Sequence, residues 1–172
     1  VEIINKNKAY IAKSISEKDS GIYEALNKGI CLSTGDIIGI LNSDDVFAGS
    51  NIISTVVECF ARNNSDIAYG NLKYVSNNQT GNKTLRYWKS NSFNPKKLKY
   101  GWMPPHPTFF VKKEFYDKYG KFDLDFGIAA DYDFMLHMLG KYKISTSYLP
   151  KVLYKMRVGG ASNRSLKNII QK

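Results

Sequence analysis

Cysteine is nearly absent. Cys31 and Cys59 are the only two, each inside an apolar helical pattern, so the sequence predicts small buried thiols and argues against a disulfide framework or a cysteine metal site. A reducing compartment fits that usage. Long hydrophobic runs are lacking too: no stretch approaches eighteen apolar residues, and residues 1–6 show none of the charged, apolar and cleavage regions of a signal peptide. A soluble, cytoplasmic chain is expected. Zinc-finger spacings, an RNA-binding aromatic motif and a basic helix followed by heptads are also missing, which excludes nucleic acid from the expected partners.

Acidic residues become scarce after residue 60. Residues 1–60 hold 5 Lys or Arg against 8 Asp or Glu, whereas residues 61–172 hold 20 against 7. The net charge of +10 therefore belongs to the later part, a surface that suits a phosphorylated substrate or an anionic membrane face, and equally a plain solvated lysine-rich exterior. With 172 residues, 43% hydrophobic and 13% aromatic, the chain can bury one substantial core, so a single domain over 1–172 is expected.

Along the chain, Ile11 to Ser16 alternates apolar and polar residues as a strand with one covered face would. Asp19 and Ser20 offer N-cap oxygens to a helix on which Ile22, Ala25, Leu26 and Ile30 share a face. Ile37 to Leu41 is a short, β-branched apolar run, which predicts a strand buried on both faces in a parallel sheet. Ser50 is positioned to cap a helix striped by Ile53, Val56, Val57 and Phe60, and Asp66 to Tyr69 predicts a further strand. Helices alternating with strands argue for an α/β fold.

From Val75 to Lys99 the texture turns polar with scattered aromatics, including the run Asn77 to Asn82, and predicts a hairpin over the sheet edge. Met103 to Pro107 must be extended because proline bars helix for itself and its predecessor. A strand over Thr108 to Val111, helices over Lys113 to Tyr119 and Ala129 to Leu139, and a strand over Ile144 to Leu149 complete the pattern, with a polar, basic tail from Arg157 and no internal repeat.

Two acidic pairs carry the chemistry. Asp44 and Asp45 follow the apolar run after Asn42 and Ser43, where α/β folds bind ligands at the carboxyl ends of strands. Adjacent carboxylates repel unless a cation shares them, and hard divalent ions such as Mg²⁺ or Mn²⁺ prefer oxygen ligands while bridging to phosphates. A turn beside a helix cap explains the same pair without a metal. Asp131 and Asp133 stand two apart at a helix start and so face different ways. One could act as a general base in a cleft, or both could simply favour the positive helix end.

The segments Ser20 to Ile30, Thr34 to Asp45, His106 to Phe110 and Ala129 to Asp133, taken in order and spacing, resemble family 2 glycosyltransferases of bacterial polysaccharide assembly. The resemblance covers about Ile15 to Ser162. It implies the GT-A fold, an α/β architecture with a mixed, mostly parallel sheet and flanking helices. It also implies a nucleotide-diphosphate-sugar donor (a UDP- or GDP-sugar) and a divalent cation, Mg²⁺ or Mn²⁺. Carried over by position, Asp45 is the metal ligand and Asp44 its neighbour toward the ribose or the metal. Asp131 is the catalytic base that makes transfer inverting.

Asp19, Gly21 and Tyr23 match the segment near the nucleotide, and Arg157, Gly159, Gly160 and Ser162 match a segment that closes over donor phosphates. Trp102, His106 and Asp133 fall on the acceptor side. The acceptor would be a glycan or lipid-linked hydroxyl, with the basic half facing acidic acceptors or the inner membrane face.

Two departures stand out. The family often carries an arginine where Leu26 stands. Its first strand, first helix and second strand would precede Val1, so the resemblance implies an N-terminally truncated chain: 1–70 as the remainder of the nucleotide-binding half, 71–156 as the acceptor-side half and 157–172 as a basic tail. Apolar edges left by missing strands would favour self-association into a homo-oligomer. A non-catalytic glycan- or anion-binding remnant of the same fold is the alternative, and glycoside hydrolysis is disfavoured because adjacent carboxylates cannot straddle a scissile bond.

Overall fold

Strand β3 (Ile67–Val75) organises the molecule, because seven of its nine residues are buried and it pairs with three other strands. The computed structural model describes residues 2–76 and 83–157. Its six-stranded sheet combines β1 (Ile37–Ile38), β2 (Val46–Phe47), β3, β4 (Thr84–Trp88), β5 (Phe110–Lys112) and β6 (Thr146–Arg157) in the order β1-β5-β3-β6-β2, with β4 alongside the second half of β3. The helices are α1 (Glu2–Lys6), α2 (Ile22–Leu32), α3 (Ile52–Asn63), α4 (Pro95–Leu98), α5 (Lys113–Tyr119) and α6 (Ala130–Leu136).

The α/β sheet is mixed, as expected, but only β3 and β6 run parallel; the other pairings among the described residues are antiparallel. Continuous apolar runs mislead here. Ile37 to Leu41 reads as doubly buried, yet only Ile37 and Ile38 form strand, Leu41 is exposed, and the partner is the antiparallel β5. Ile11 to Ser16 forms no strand: alternation predicts one only where a neighbouring strand supplies hydrogen bonds, and this stretch is irregular and mostly exposed.

The core lies on both faces of the sheet. On one, Ile30, Tyr69, Val111, Tyr116 and Phe134 join α2, α5 and α6 to the strands, with Tyr116 and Phe134 stacked at 4.8 Å. On the other, Ile52, Val56, Cys59 and Phe60 of α3 cover Ala68, Leu72 and Leu153. Cys59 is thus buried as its pattern predicts, whereas Cys31 lies on the exposed side of α2. Gly70 permits close approach of β6: a Cβ there would lie 2.6 Å from Leu153 Cγ and 3.0 Å from the Lys151 carbonyl oxygen.

Several boundaries move for local reasons. Asn51, not Ser50, is the N-cap of α3. Residues 106–108 wind into a 3-10 turn after the extended prolines, so β5 begins at Phe110. Gly140 does not end α6; the chain continues through a wider turn over His137–Lys141.

The 3-10 turn is fastened by Thr108, fully buried, whose hydroxyl lies 3.3 Å from the Gly70 N–H, 3.1 Å from the Gly70 carbonyl and 2.8 Å from the Pro105 carbonyl. Thr108→Val keeps the shape and leaves those buried groups short of a partner. We expect it to cost about 1–3 kcal/mol in denaturant unfolding; an unchanged midpoint would show that water replaces the hydroxyl.

Candidate active site

The carboxyl ends of the parallel pair β3 and β6 open into a cleft of about 510 Å³, within the size range of small-ligand sites. Tyr74 and Met156 come to it from those strand ends and Trp88 from the end of β4. Gly21, Tyr23 and Leu26 come from the start of α2, Asn42 from the turn after β1, His106 from the 3-10 turn before β5, and Asp131 from the start of α6.

The start of α2 is held without a side-chain N-cap. Gly21 occupies the cap position; Asp19 Oδ1 accepts from the Gly21 N–H at 3.1 Å. Glu24 accepts from the Ser20 N–H and hydroxyl at 2.6 Å each. Asp19 therefore shapes the loop from outside the cleft, whereas Gly21 and Tyr23 face into it. Leu26 also lines the cleft.

Asp131 lies in the first turn of α6, where the helix dipole favours an anion. Gly127, at φ 51° and ψ −122°, turns the chain into that helix in a conformation that L side chains rarely adopt. Asp131 Oδ1 accepts from the Tyr132 N–H at 2.8 Å, and Oδ2 lies 3.4 Å from His106 Nδ1. Burial pushes the His106 imidazole below its ordinary range against the opposing pull of Asp131, which keeps it neutral at physiological pH. The Tyr23 hydroxyl lies 3.3 Å from the Ile128 carbonyl, and burial first, then Asp131, push it well above the usual tyrosine value. A carboxylate, a neutral imidazole and a phenol thus meet on one wall.

Asp133 faces away from that wall, as the two-residue spacing requires. It pairs with His137 Nδ1 at 3.3 Å along the same helix and does not line the cleft. Trp102 is half-buried against Tyr69 and Phe93, at 6.3 and 6.1 Å between ring centroids, and belongs to the core. The tryptophan that lines the cleft is Trp88. In the sequence it is one of the scattered aromatics, because only its register opposite Leu72 places it at the mouth.

The acidic pair forms a separate corner. The turn reading is correct as far as it goes: the Asp45 N–H donates to the Asn42 carbonyl at 3.1 Å, and no helix starts until Ile52. Asp44 is half-buried, while Asp45 is 5% exposed. Asn42 Nδ2 donates to Asp45 Oδ2 at 3.2 Å, but Asp45 Oδ1 is buried with no hydrogen-bond partner. Burial and the neighbouring Asp44 push the Asp45 carboxyl above its ordinary range, against the pull of Asn42 and Arg157.

Among the described residues no cluster of three or more His, Cys, Asp or Glu is gathered. A hard divalent ion held by one or two carboxylates and a substrate's phosphates needs no such cluster, so the orphaned Oδ1 and the all-oxygen pair fit that kind of ion. Arg157 lies beside Asp45 as the last described residue; Gly159, Gly160 and Ser162 fall outside the described residues, as does the run Asn77 to Asn82.

Comparison with known proteins fits this architecture. The model of glycosyl transferase family 2 matches residues 4–120. The chain belongs to glycosyl transferase family 2. It is 32% identical over 125 residues to an uncharacterized glycosyltransferase of Mycobacterium tuberculosis, covering 70% of this chain and 45% of that protein. To a PGL/p-HBAD biosynthesis glycosyltransferase of Mycobacterium bovis it is 25% identical over 149 residues, covering 86% and 55%. The chain spans about half the length of the curated relatives it matches.

Among solved structures, S. aureus TarS 1-349 in complex with UDP aligns at a TM-score of 0.65 with 16% identity, over 92% of this chain and 47% of that one. That likeness shows the fold. Among the described residues no helix is long and apolar enough to cross a membrane.

Proposed function

We propose that this family 2 domain transfers a sugar from a nucleotide-diphosphate donor to a hydroxyl of a glycan or lipid-linked acceptor in bacterial cell-surface glycan synthesis, with inversion at the anomeric carbon. The observation that carries this reading is the placement of Asp131 on the cleft wall between His106 and Tyr23. Asp131 takes the proton of the acceptor hydroxyl as that oxygen bonds to the anomeric carbon and the bond to the diphosphate oxygen breaks on the opposite face. Neutral His106 and Tyr23 fix the direction of the carboxylate without neutralising it.

Asp45, with Asp44 beside it, would hold Mg²⁺ or Mn²⁺. Bound there, a divalent ion offsets the negative charge that gathers on the departing nucleotide diphosphate. Gly21 and Tyr23 at the start of α2 border the donor, and Trp88 and His106 border the acceptor. The UDP bound by the structurally similar TarS supports UDP as the first donor nucleotide to test, and the mycobacterial relative's part in PGL/p-HBAD biosynthesis supports a lipid-linked acceptor. The basic residues after position 60 suit an anionic membrane face where such acceptors reside.

The test is turnover of UDP-sugars with and without EDTA. The proposal expects hydrolysis or transfer that stops with chelation and returns with Mn²⁺. Binding without any turnover would favour a non-catalytic remnant of the fold.

A further inference from the structure

Tyr154 is fully buried, and its hydroxyl has no hydrogen-bond partner. A buried phenol left unpaired costs about 1–3 kcal/mol, so its persistence calls for a ligand or a role. The sheet register shows where the hydroxyl belongs. β2 and β6 are antiparallel with Phe47 opposite Tyr154 and Val46 opposite Lys155. Since strand side chains alternate with period two, Asp45 and Phe47 share the face of Tyr154, with Asp45 on its diagonal.

The Phe47 and Tyr154 rings meet at 4.9 Å, which confirms that face. Phe110 closes the other side at 6.0 Å. β3 brings Tyr74 to the same face, opposite Met156. Two buried polar atoms, Asp45 Oδ1 and the Tyr154 hydroxyl, therefore lie on the same face, and neither has a hydrogen-bond partner. A phenol is protonated at neutral pH, so the Tyr154 hydroxyl is available as a donor.

We propose that Tyr154 is the positioning residue of the acidic corner: its hydroxyl donates to the Asp45 carboxylate, directly or through one ordered oxygen, and fixes the carboxylate's direction when a divalent cation is bound. This rests on the assignment of Asp45 as a metal ligand. Outer partners of this kind orient ligating carboxylates and typically contribute 10- to 100-fold in metal affinity. Such a donor also accounts for a tyrosine where phenylalanine would pack equally well.

The test is Tyr154→Phe, which keeps the ring and removes only the hydroxyl. Mn²⁺ affinity is read by electron paramagnetic resonance of free Mn²⁺, alone and with UDP. The expected result is roughly 10- to 100-fold weaker Mn²⁺ binding, with the metal-free melting temperature unchanged or raised. Mn²⁺ affinity within about twofold of the wild type would overturn the inference. So would a lower melting temperature with intact Mn²⁺ affinity, the signature of a purely structural residue.

Asp45→Asn is run in parallel. If it retains Mn²⁺ binding, the metal-ligand assignment fails and this inference with it. If it loses binding while Tyr154→Phe does not, only this inference fails. Should the phenylalanine variant not fold, wild-type crystals soaked in Mn²⁺ decide the matter. A Tyr154 hydroxyl within hydrogen-bond distance of Asp45 or of an oxygen bound to it supports the inference; one still without a partner rejects it.

Discussion

Asp131→Asn should lower the transfer rate by about 10²- to 10⁴-fold, a loss of roughly 3–5 kcal/mol of transition-state stabilisation, because the amide cannot take the acceptor's proton. The substitution is nearly isosteric. It keeps an acceptor oxygen for the Tyr132 N–H at 2.8 Å, so the start of α6 and the cleft wall should stay in place. Donor affinity should therefore change little. The measurement is a paired one: turnover in an acceptor assay, and UDP binding by calorimetry. A parallel loss of both would mean that Asp131 holds the donor or the fold, and it would remove the base from the mechanism.

Asp45→Asn should act in the opposite sense on stability and function. In the metal-free chain Asp45 is a nearly buried carboxylate with one unpaired oxygen and a like charge next to it. Breaking such an arrangement by removing the charge relieves desolvation and repulsion. The metal-free melting temperature at neutral pH should rise by about 2–4 °C for each kcal/mol relieved in a domain of this size.

The wild type should gain stability from Mn²⁺ with UDP, about 2.7 kcal/mol when ligand stands at a hundredfold excess over Kd, and the variant should gain nothing. Thermal melts with and without Mn²⁺ and UDP measure both effects. A wild type that Mn²⁺ and UDP leave unmoved would mean that the corner is only a turn.

The parts of this fold legible in the sequence are those set by local periodicity. Helices α2 and α3 form where apolar spacing places them, and α5 spans Lys113–Tyr119 as expected. Strand direction was not legible, since an apolar run such as Ile37 to Leu41 looks the same whether its partner β5 runs parallel or antiparallel. Of the site, the two-residue spacing separated Asp131 from Asp133, and the structure sends one to the cleft and the other to His137.

Spacing could not choose between Trp102 and Trp88. That choice depends on the β3–β4 register, a long-range pairing that brings Trp88 opposite Leu72. The role of Tyr154 is invisible in the sequence for the same reason. That residue lies past the strand expected over Ile144 to Leu149, whereas β6 runs on to Arg157; its meaning comes from lying diagonally across from Asp45.

The central claim is that Asp44 and Asp45 form a corner completed by a divalent ion and a nucleotide diphosphate. Calorimetric titration of UDP into the wild-type chain, first with Mn²⁺ and then with EDTA, addresses it most directly. The account predicts saturable binding with Mn²⁺ that disappears on chelation. Equal binding in both conditions, or none in either, would contradict it.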